Sequence, residues 1–357
     1  MNLTNRRISR AVQAGSLTIG AGSPVSVQSM TTADTADVEA VVSQIHRLES
    51  AGCQLVRLAV PDIASAKAIS EIKPRISIPL CADIHFDYRL ALASIDAGAD
   101  KLRINPGNIG SVERVKEVAE AAKKAHIPIR IGANAGSIDR KKYGLPTASA
   151  LVESALDQAA IMEEIGFRDI VLSLKAFDVP MMIEAYKTAA ERTDYPLHIG
   201  VTEAGLAWEG TIRSSVGIGA LLAQGIGDTI RVSLTGDPVE EIRVGLQILT
   251  SLNLYQPNYT IISCPTCGRC SIALDAAAEE VNNRLSRIEL QRPIKVAVMG
   301  CSVNGPGEAR MADVGLAGGV GFGLIFAKGE ILRRVPESDM VDELIREVER
   351  FENDPES

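Results

Sequence analysis

The stretch Lys101-Leu-Arg-Ile-Asn-Pro106, followed by an Ala-, Glu- and Lys-rich run over 111–125 and then by Ile127-Pro-Ile-Arg-Ile-Gly-Ala-Asn134, decides the fold. A short β-branched run ends in polar residues, an amphipathic helical segment follows, and a second such run begins. The same unit recurs from about residue 25 to 235. Candidate strands fall at 25–30, 55–60, 79–84, 101–106, 127–134, 170–175, 197–202 and 229–234. Between them lie helical segments at 35–51, 89–97, 111–125, 149–165, 181–192 and 214–224. Endings such as Ala51-Gly52, Ala97-Gly98 and Ile165-Gly166 suit helix C-caps. Eight near-regular units predict an N-terminal TIM (β/α)8 barrel rather than an open doubly wound sheet.

In such a barrel the strand C-termini converge on one mouth. Here they carry Gln28 and Ser29, Arg57, Asp83 with His85, Arg103 with Asn105, Arg130 with Asn134, Lys175, Thr202 with Glu203, and Arg231 with Ser233. Arginines inside apolar strands are costly to bury unless an anion meets them. Asp83 and Glu203 could neutralise some of this charge as structural ion pairs, but two carboxylates do not balance Arg57, Arg103, Arg130, Lys175 and Arg231. The five cations predict a clamp for phosphate or diphosphate, because guanidinium forks match phosphate oxygens. His85 reads equally as a ligand, a proton shuttle or a hydrogen-bonded loop residue. Glu203, in Thr202-Glu-Ala-Gly205, is the candidate general acid or base; its structural alternative is to neutralise Lys175 or Arg231. His46, His126 and His198 read as structural or exposed.

The pattern breaks near residue 252. The expected division is a barrel over 1–252, a linker over 253–259 and a small α+β domain over 260–357. Within the last, a helix is expected over 271–288, strands over 293–299 and 321–327, and a closing amphipathic helix over 337–352. The glycine-rich run 315–323 reads as a turn region, with no dinucleotide fingerprint. Four of the six cysteines fall here, in Cys264-Pro-Thr-Cys-Gly-Arg-Cys270 and at Cys301 of Gly300-Cys-Ser-Val-Asn-Gly-Pro-Gly-Glu308. Thiolates at this spacing can close on one soft metal centre. A redox iron–sulfur site, a structural zinc site and a dithiol pair at Cys264 and Cys267 are the alternatives. Glu308 suits a labile fourth ligand. Cys53 and Cys81 sit singly in apolar runs and read as buried thiols.

The net charge of −8 argues against a nucleic-acid partner. No apolar run is long enough to span a bilayer, and Met1-Asn-Leu-Thr-Asn-Arg-Arg7 lacks a signal-peptide core, so a cytoplasmic protein with reduced cysteines is expected.

The pairing of Ser263-Cys-Pro-Thr-Cys-Gly-Arg269 with Gly300-Cys-Ser-Val-Asn-Gly-Pro-Gly-Glu-Ala309 resembles the 4-hydroxy-3-methylbut-2-enyl diphosphate synthase family. The likeness runs from Gln28-Ser-Met-Thr31 through Arg103-Ile-Asn-Pro-Gly-Asn108, Arg130-Ile-Gly-Ala-Asn134, Thr202-Glu-Ala-Gly205 and Arg231-Val-Ser-Leu-Thr235 to Lys328-Gly329. The length is similar to that of the two-domain bacterial form. The resemblance implies a [4Fe-4S] cluster on Cys264, Cys267, Cys301 and Glu308, with Cys270 a possible competitor of Glu308. It also implies reductive opening and dehydration of a cyclic diphosphate of methylerythritol at the barrel mouth. Arg57, Arg103, Arg130, Asn134, Lys175, Arg231 and Ser233 would hold that substrate, with Asp83, His85, Asn105 and Thr202 beside them and Glu203 donating the proton. Reduced flavodoxin or ferredoxin would supply electrons, and a homodimer with a shared active site is expected. A radical S-adenosylmethionine barrel would need its cysteine loop inside the barrel. A pterin-binding barrel leaves the cysteines idle, and an iron–sulfur sensor leaves the cationic mouth idle.

Overall fold

A computed structural model describes residues 6–105, 109–301 and 309–353. The chain divides into two units, Met1–Tyr255 and Gln256–Ser357.

The first unit is the expected (β/α)8 barrel. An antiparallel hairpin, β1 (Val12–Ala14) and β2 (Leu17–Ile19), precedes the eight parallel strands: β3 (Ser26–Met30), β4 (Leu55–Ala59), β5 (Leu80–Ile84), β6 (Lys101–Ile104), β7 (Ile129–Asn134), β8 (Ile170–Lys175), β9 (His198–Ile199) and β10 (Thr229–Ile230). They pair in the order β8-β7-β6-β5-β4-β3-β10-β9. A single parallel bridge between Leu172 and Leu197 closes the circle. This seam is thin, and a side chain completes it. The amide of Leu174 donates to Tyr186 Oη at 2.9 Å, and that hydroxyl donates to the carbonyl of His198 at 2.6 Å.

Each strand sorts its residues by alternation. On β6 and β7, Leu102, Ile104, Ile129, Ile131 and Ala133 join the main apolar core with the surrounding helices, while Lys101, Arg103 and Arg130 take the other face. The barrel is therefore apolar outside its wall and polar within it. Ala14, Ile19, Leu55 and Cys81 form a separate buried cluster, so the hairpin closes the N-terminal end. The sequence reading did not anticipate this hairpin.

The helices are α1 (Val38–Ser50), α2 (Ile63–Ile72), α3 (Tyr88–Asp96), α4 (Val112–Ala125), the short α5 (Arg140–Tyr143), α6 (Ala148–Glu163), α7 (Val179–Arg192), α8 (Ala207–Leu222) and α9 (Pro238–Ser251). Side chains of Asp37, Asp62, Asp87, Asp139, Asp178 and Asp237 accept amide hydrogens at six of the N-termini, the preferred cap chemistry. Gly52, Gly98 and Gly166 follow three helix ends with positive φ, as C-cap glycines do.

The second unit holds a five-stranded sheet in sequential order: β11 (Tyr259–Ser263), β12 (Ile294–Met299), β13 (Val314–Gly319), β14 (Phe322–Ala327) and β15 (Glu330–Pro336). The first three are parallel and the last two antiparallel. Helices α10 (Leu274–Leu285) and α11 (Met340–Asn353) cover it through a core that includes Val281, Val296, Leu316 and Leu344. Two expectations change here. Residue 259 begins β11 rather than ending a linker, and much of the 315–323 glycine run is β13. Its glycines make room rather than turns: a Cβ on Gly315 would come within 2.2 Å of the Phe326 ring. β15 was not anticipated either, since most of its residues are exposed and carry no alternation.

Candidate active site

The inward faces of the strands open into a cavity of about 300 Å³ lined by Met30, Arg57, Asp83, His85, Arg103, Arg130, Gly132, Asn134, Ser173, Lys175, Thr202, Arg231 and Ser233. Most of the mouth residues singled out from the sequence are thus brought together. Asn105 is buried and lines an adjoining cavity of about 380 Å³ that shares Asn134. Glu203 stands apart. It is exposed, with φ +55°, and makes no ion pair among the described residues.

Five basic side chains line the cavity against one carboxylate, Asp83. Asp83 is 1% exposed and lies 3.1 Å from Arg103 Nη1, 3.2 Å from His85 Nε2 and 3.6 Å from Arg57 Nε. Burial alone would raise its carboxyl. Arg57, the His85 hydrogen bond and Arg103 outweigh that and hold it well below the carboxylate range. Arg57 also places Nε and Nη2 3.0 and 2.8 Å from the Met30 sulfur, a weak acceptor. Burial lowers the Arg57 guanidinium, with Arg231 adding to it. Burial likewise lowers Arg130, whose Nε and Nη1 are buried without a hydrogen-bond partner among the described residues. Such orphaned donors are what an anion site looks like before an anion is counted in.

Sequence reasoning missed several supports. Glu241, in the first turn of α9, lies 3.7 Å from Arg231 Nε and accepts from Ser29 Oγ and the Leu234 amide at 2.8 and 3.0 Å. It is Glu241, not Glu203, that partners Arg231. Gly132 lets Arg103 pass, because a Cβ there would sit 3.1 Å from its Nε and Nη2. Below the clamp, Lys101 and His198, together with Gln28, which the sequence reading already places among the strand ends, have 0% exposure and side-chain polar atoms without a partner among the described residues. Strand alternation carried a signal for Lys101, since it is two residues before Arg103.

In the second unit, β11 and β12 are parallel neighbours with Ser263 opposite Val298, so Cys264 and Cys301 leave the same edge of the sheet. The Gly300 amide donates to Cys264 Sγ at 3.2 Å, and the Ser271 amide donates to the Gly300 carbonyl at 2.8 Å, tying the two loops. Cys267 is exposed, and the amide and side chain of Arg269 hold its thiol below the ordinary value. Cys270 packs against the core and its thiol donates to the Ile272 carbonyl at 3.2 Å. All six cysteines are free, and Cys53 and Cys81 are buried. Among the described residues no three His, Cys, Asp or Glu side chains gather as a metal site; Glu308 lies outside the described residues. The donor set itself suits an iron–sulfur cluster: soft thiolates from two adjacent loops, one of them receiving a backbone N–H.

Residues 9–246 match the family described as the GcpE TIM-barrel domain, and residues 260–350 match the GcpE protein C-terminal domain. The chain belongs to the GcpE family. Curated relatives from Geobacillus kaustophilus, Geobacter sulfurreducens and Clostridium perfringens are each 57% identical, over 98%, 96% and 97% of this chain and 94%, 97% and 99% of their own. Each is called 4-hydroxy-3-methylbut-2-en-1-yl diphosphate synthase (flavodoxin). Among solved structures, Yersinia pestis dihydropteroate synthase with a sulfonamide drug superposes with a TM-score of 0.51 at 15% identity, over 69% of this chain and all of that one. That likeness concerns the fold alone. No helix among the described residues is long and apolar enough to cross a membrane.

Proposed function

We propose that this GcpE-family chain is an oxidoreductase that converts 2-C-methyl-D-erythritol 2,4-cyclodiphosphate to 4-hydroxy-3-methylbut-2-enyl diphosphate, a step of non-mevalonate isoprenoid biosynthesis. Family membership over both units supports the reaction. The observation that carries the substrate assignment is the cavity in which five basic side chains face one carboxylate.

In this reading Arg57, Arg103, Arg130, Lys175 and Arg231 grip the diphosphate, and Asn134, Thr202 and Ser233 take the sugar-derived hydroxyls. The fixed guanidinium groups cost little reorganisation and stabilise the phosphate oxygen as the ring C–O bond breaks. Asp83 keeps Arg57, Arg103 and His85 in place. Asn105 is assigned to orient Asn134 from the adjoining cavity. Glu203, at the rim, passes the proton with which the departing hydroxyl becomes water. Cys264, Cys267, Cys301 and Glu308 would hold a [4Fe-4S] cluster, which supplies two electrons one at a time. Cys270, turned toward the core, is left out of the ligand set. Reduced flavodoxin, named for the relatives, is the donor assigned here, with ferredoxin as the alternative. A homodimer with a shared active site and a cytoplasmic location belong to the same reading.

Anaerobic purification tests it. A brown protein with about four iron and four sulfide per chain, oxidising reduced viologen only when the cyclic diphosphate is present, is the expected result. Colourless protein with stoichiometric zinc and no substrate-dependent oxidation would refute it.

A further inference from the structure

Lys175 ends β8 on the inner wall, 7% exposed and facing the cavity. No carboxylate is within ion-pair reach of its Nζ among the described residues. Asp83 is already shared by Arg57, Arg103 and His85, and Glu241 serves Arg231. The charged or titratable groups that act on or with Lys175 are Arg130 on β7, Arg231 after β10, Arg57 on β4 and His198 on β9, with Glu241 on α9 opposing the cations. On the β9 side the backbone comes so close that a Cβ at Gly200 would stand 2.9 Å from Nζ. A largely buried ammonium beside several guanidinium groups, with no carboxylate in reach, is costly, and losing its proton relieves that cost.

We propose that the clamp takes up its anion together with a proton: Lys175 stands as a neutral amine in the empty barrel and becomes an ammonium once an anionic diphosphate lies across the guanidinium groups. This rests on the diphosphate reading above. Burial first, then Arg130, Arg231 and Arg57, push the Lys175 amine well below its ordinary value. Phosphate oxygens supply acceptors and opposite charge, which raises it again. Lys101 is also lowered by burial, to about 7, but it does not line the cavity, and its charged or titratable neighbours are Arg130, Cys81 and His198. Between the free and the bound value of Lys175, each anion brings in one proton, so affinity falls as pH rises, by about tenfold per pH unit.

The test is calorimetry on the full chain between about pH 7 and 9, above the range in which an ordinary imidazole changes charge. Inorganic pyrophosphate and sulfate are titrated in paired buffers of different ionisation enthalpy. Sulfate does not titrate in this range, so any proton taken up with it is the protein's. The expected result is close to one proton per sulfate in wild type and in Lys101→Met, with affinity falling on the slope above. Lys175→Arg, whose charge burial does not strip, should bind sulfate without proton uptake. If that guanidinium does not fit beside Gly200, Lys175→Met takes its place: sulfate bound without proton uptake supports the assignment, and uptake retained there moves the proton to His85 or His198 and overturns it. Loss of uptake in Lys101→Met overturns the assignment to Lys175. Wild-type binding with no proton uptake overturns the inference and leaves the diphosphate reading standing. No pyrophosphate binding at any pH overturns both.

Discussion

Replacing Asp83 by asparagine removes the one carboxylate that the cavity sets against its cations. The change is isosteric, so packing is preserved and the effect is electrostatic. Asp83 is 1% exposed and holds Arg103 at 3.1 Å and Arg57 at 3.6 Å. At an effective dielectric constant near 20, a unit charge pair at such distances is worth about 5 kcal/mol, and breaking a buried pair typically costs about 3–5 kcal/mol. We therefore expect Asp83→Asn to lower unfolding stability by about 3–5 kcal/mol, measured by denaturant titration of the anion-free protein. Inorganic pyrophosphate should recover much of the loss, because an anion bound only by the folded state substitutes for the missing charge. The pH dependence follows with a definite sign. The folded carboxyl lies below its unfolded value, so its contribution is full above about pH 4 and drains away as pH falls below that. Asp83→Asn should therefore flatten the acid limb of the stability profile. A variant within about 1 kcal/mol of wild type, with an unchanged acid limb, would refute the view that this carboxylate makes the empty cationic mouth tolerable.

The seam of the barrel gives a second prediction: Tyr186→Phe leaves the Leu174 amide and the His198 carbonyl without their shared partner and should cost about 1–3 kcal/mol by the same denaturant assay. Glu203→Gln should keep colour and substrate binding while turnover drops on the order of 10²-fold or more, as for loss of a general acid; a near-normal rate in the viologen assay would remove Glu203 from the chemistry. Cys301→Ser should lose iron, whereas Cys270→Ser, whose hydroxyl can still donate to the Ile272 carbonyl while the sulfur's packing is lost, should keep iron and turnover. An iron-free Cys270→Ser protein, by metal analysis, would mean that the inward-turned thiol had been excluded wrongly.

The barrel was legible because two physical periodicities speak at once in its sequence. Lys-Leu-Arg-Ile at 101–104 alternates, and the runs between strands repeat at helical spacing, so strand and helix were separable, with most boundaries off by a few residues and the start of α8 by seven. The cationic mouth was legible for the same reason: arginine in an apolar strand announces a special environment. Less visible were groups whose meaning depends on distant partners. Glu241 reads as an ordinary first-turn acid until β10 brings Arg231 beside it. Tyr186 reads as a helix residue until its hydroxyl is found between β8 and β9. In the second unit, glycine misled. Gly315 and Gly318 predict turns by composition, yet they are strand residues whose missing side chains admit Phe326 and Ile272.

These misses share a cause with the chemistry. A barrel whose inner wall is apolar can be read from propensity and alternation, because each strand contributes to its core independently. Here that wall carries Arg57, Lys101, Arg103, Arg130, Lys175, His198 and Arg231, which no local rule would bury together. The apolar core on the outer side of the strands, with Leu102, Ile131, Leu172 and Ile199, supplies the stability that offsets them. With hydrophobic burial worth about 25 cal/mol per Å², a continuous outer layer can carry several unpaired buried polar groups at a few kcal/mol each. The fold can thus hold its cations near one another before any ligand arrives, and an anion entering the mouth meets acceptor-starved donors already in position.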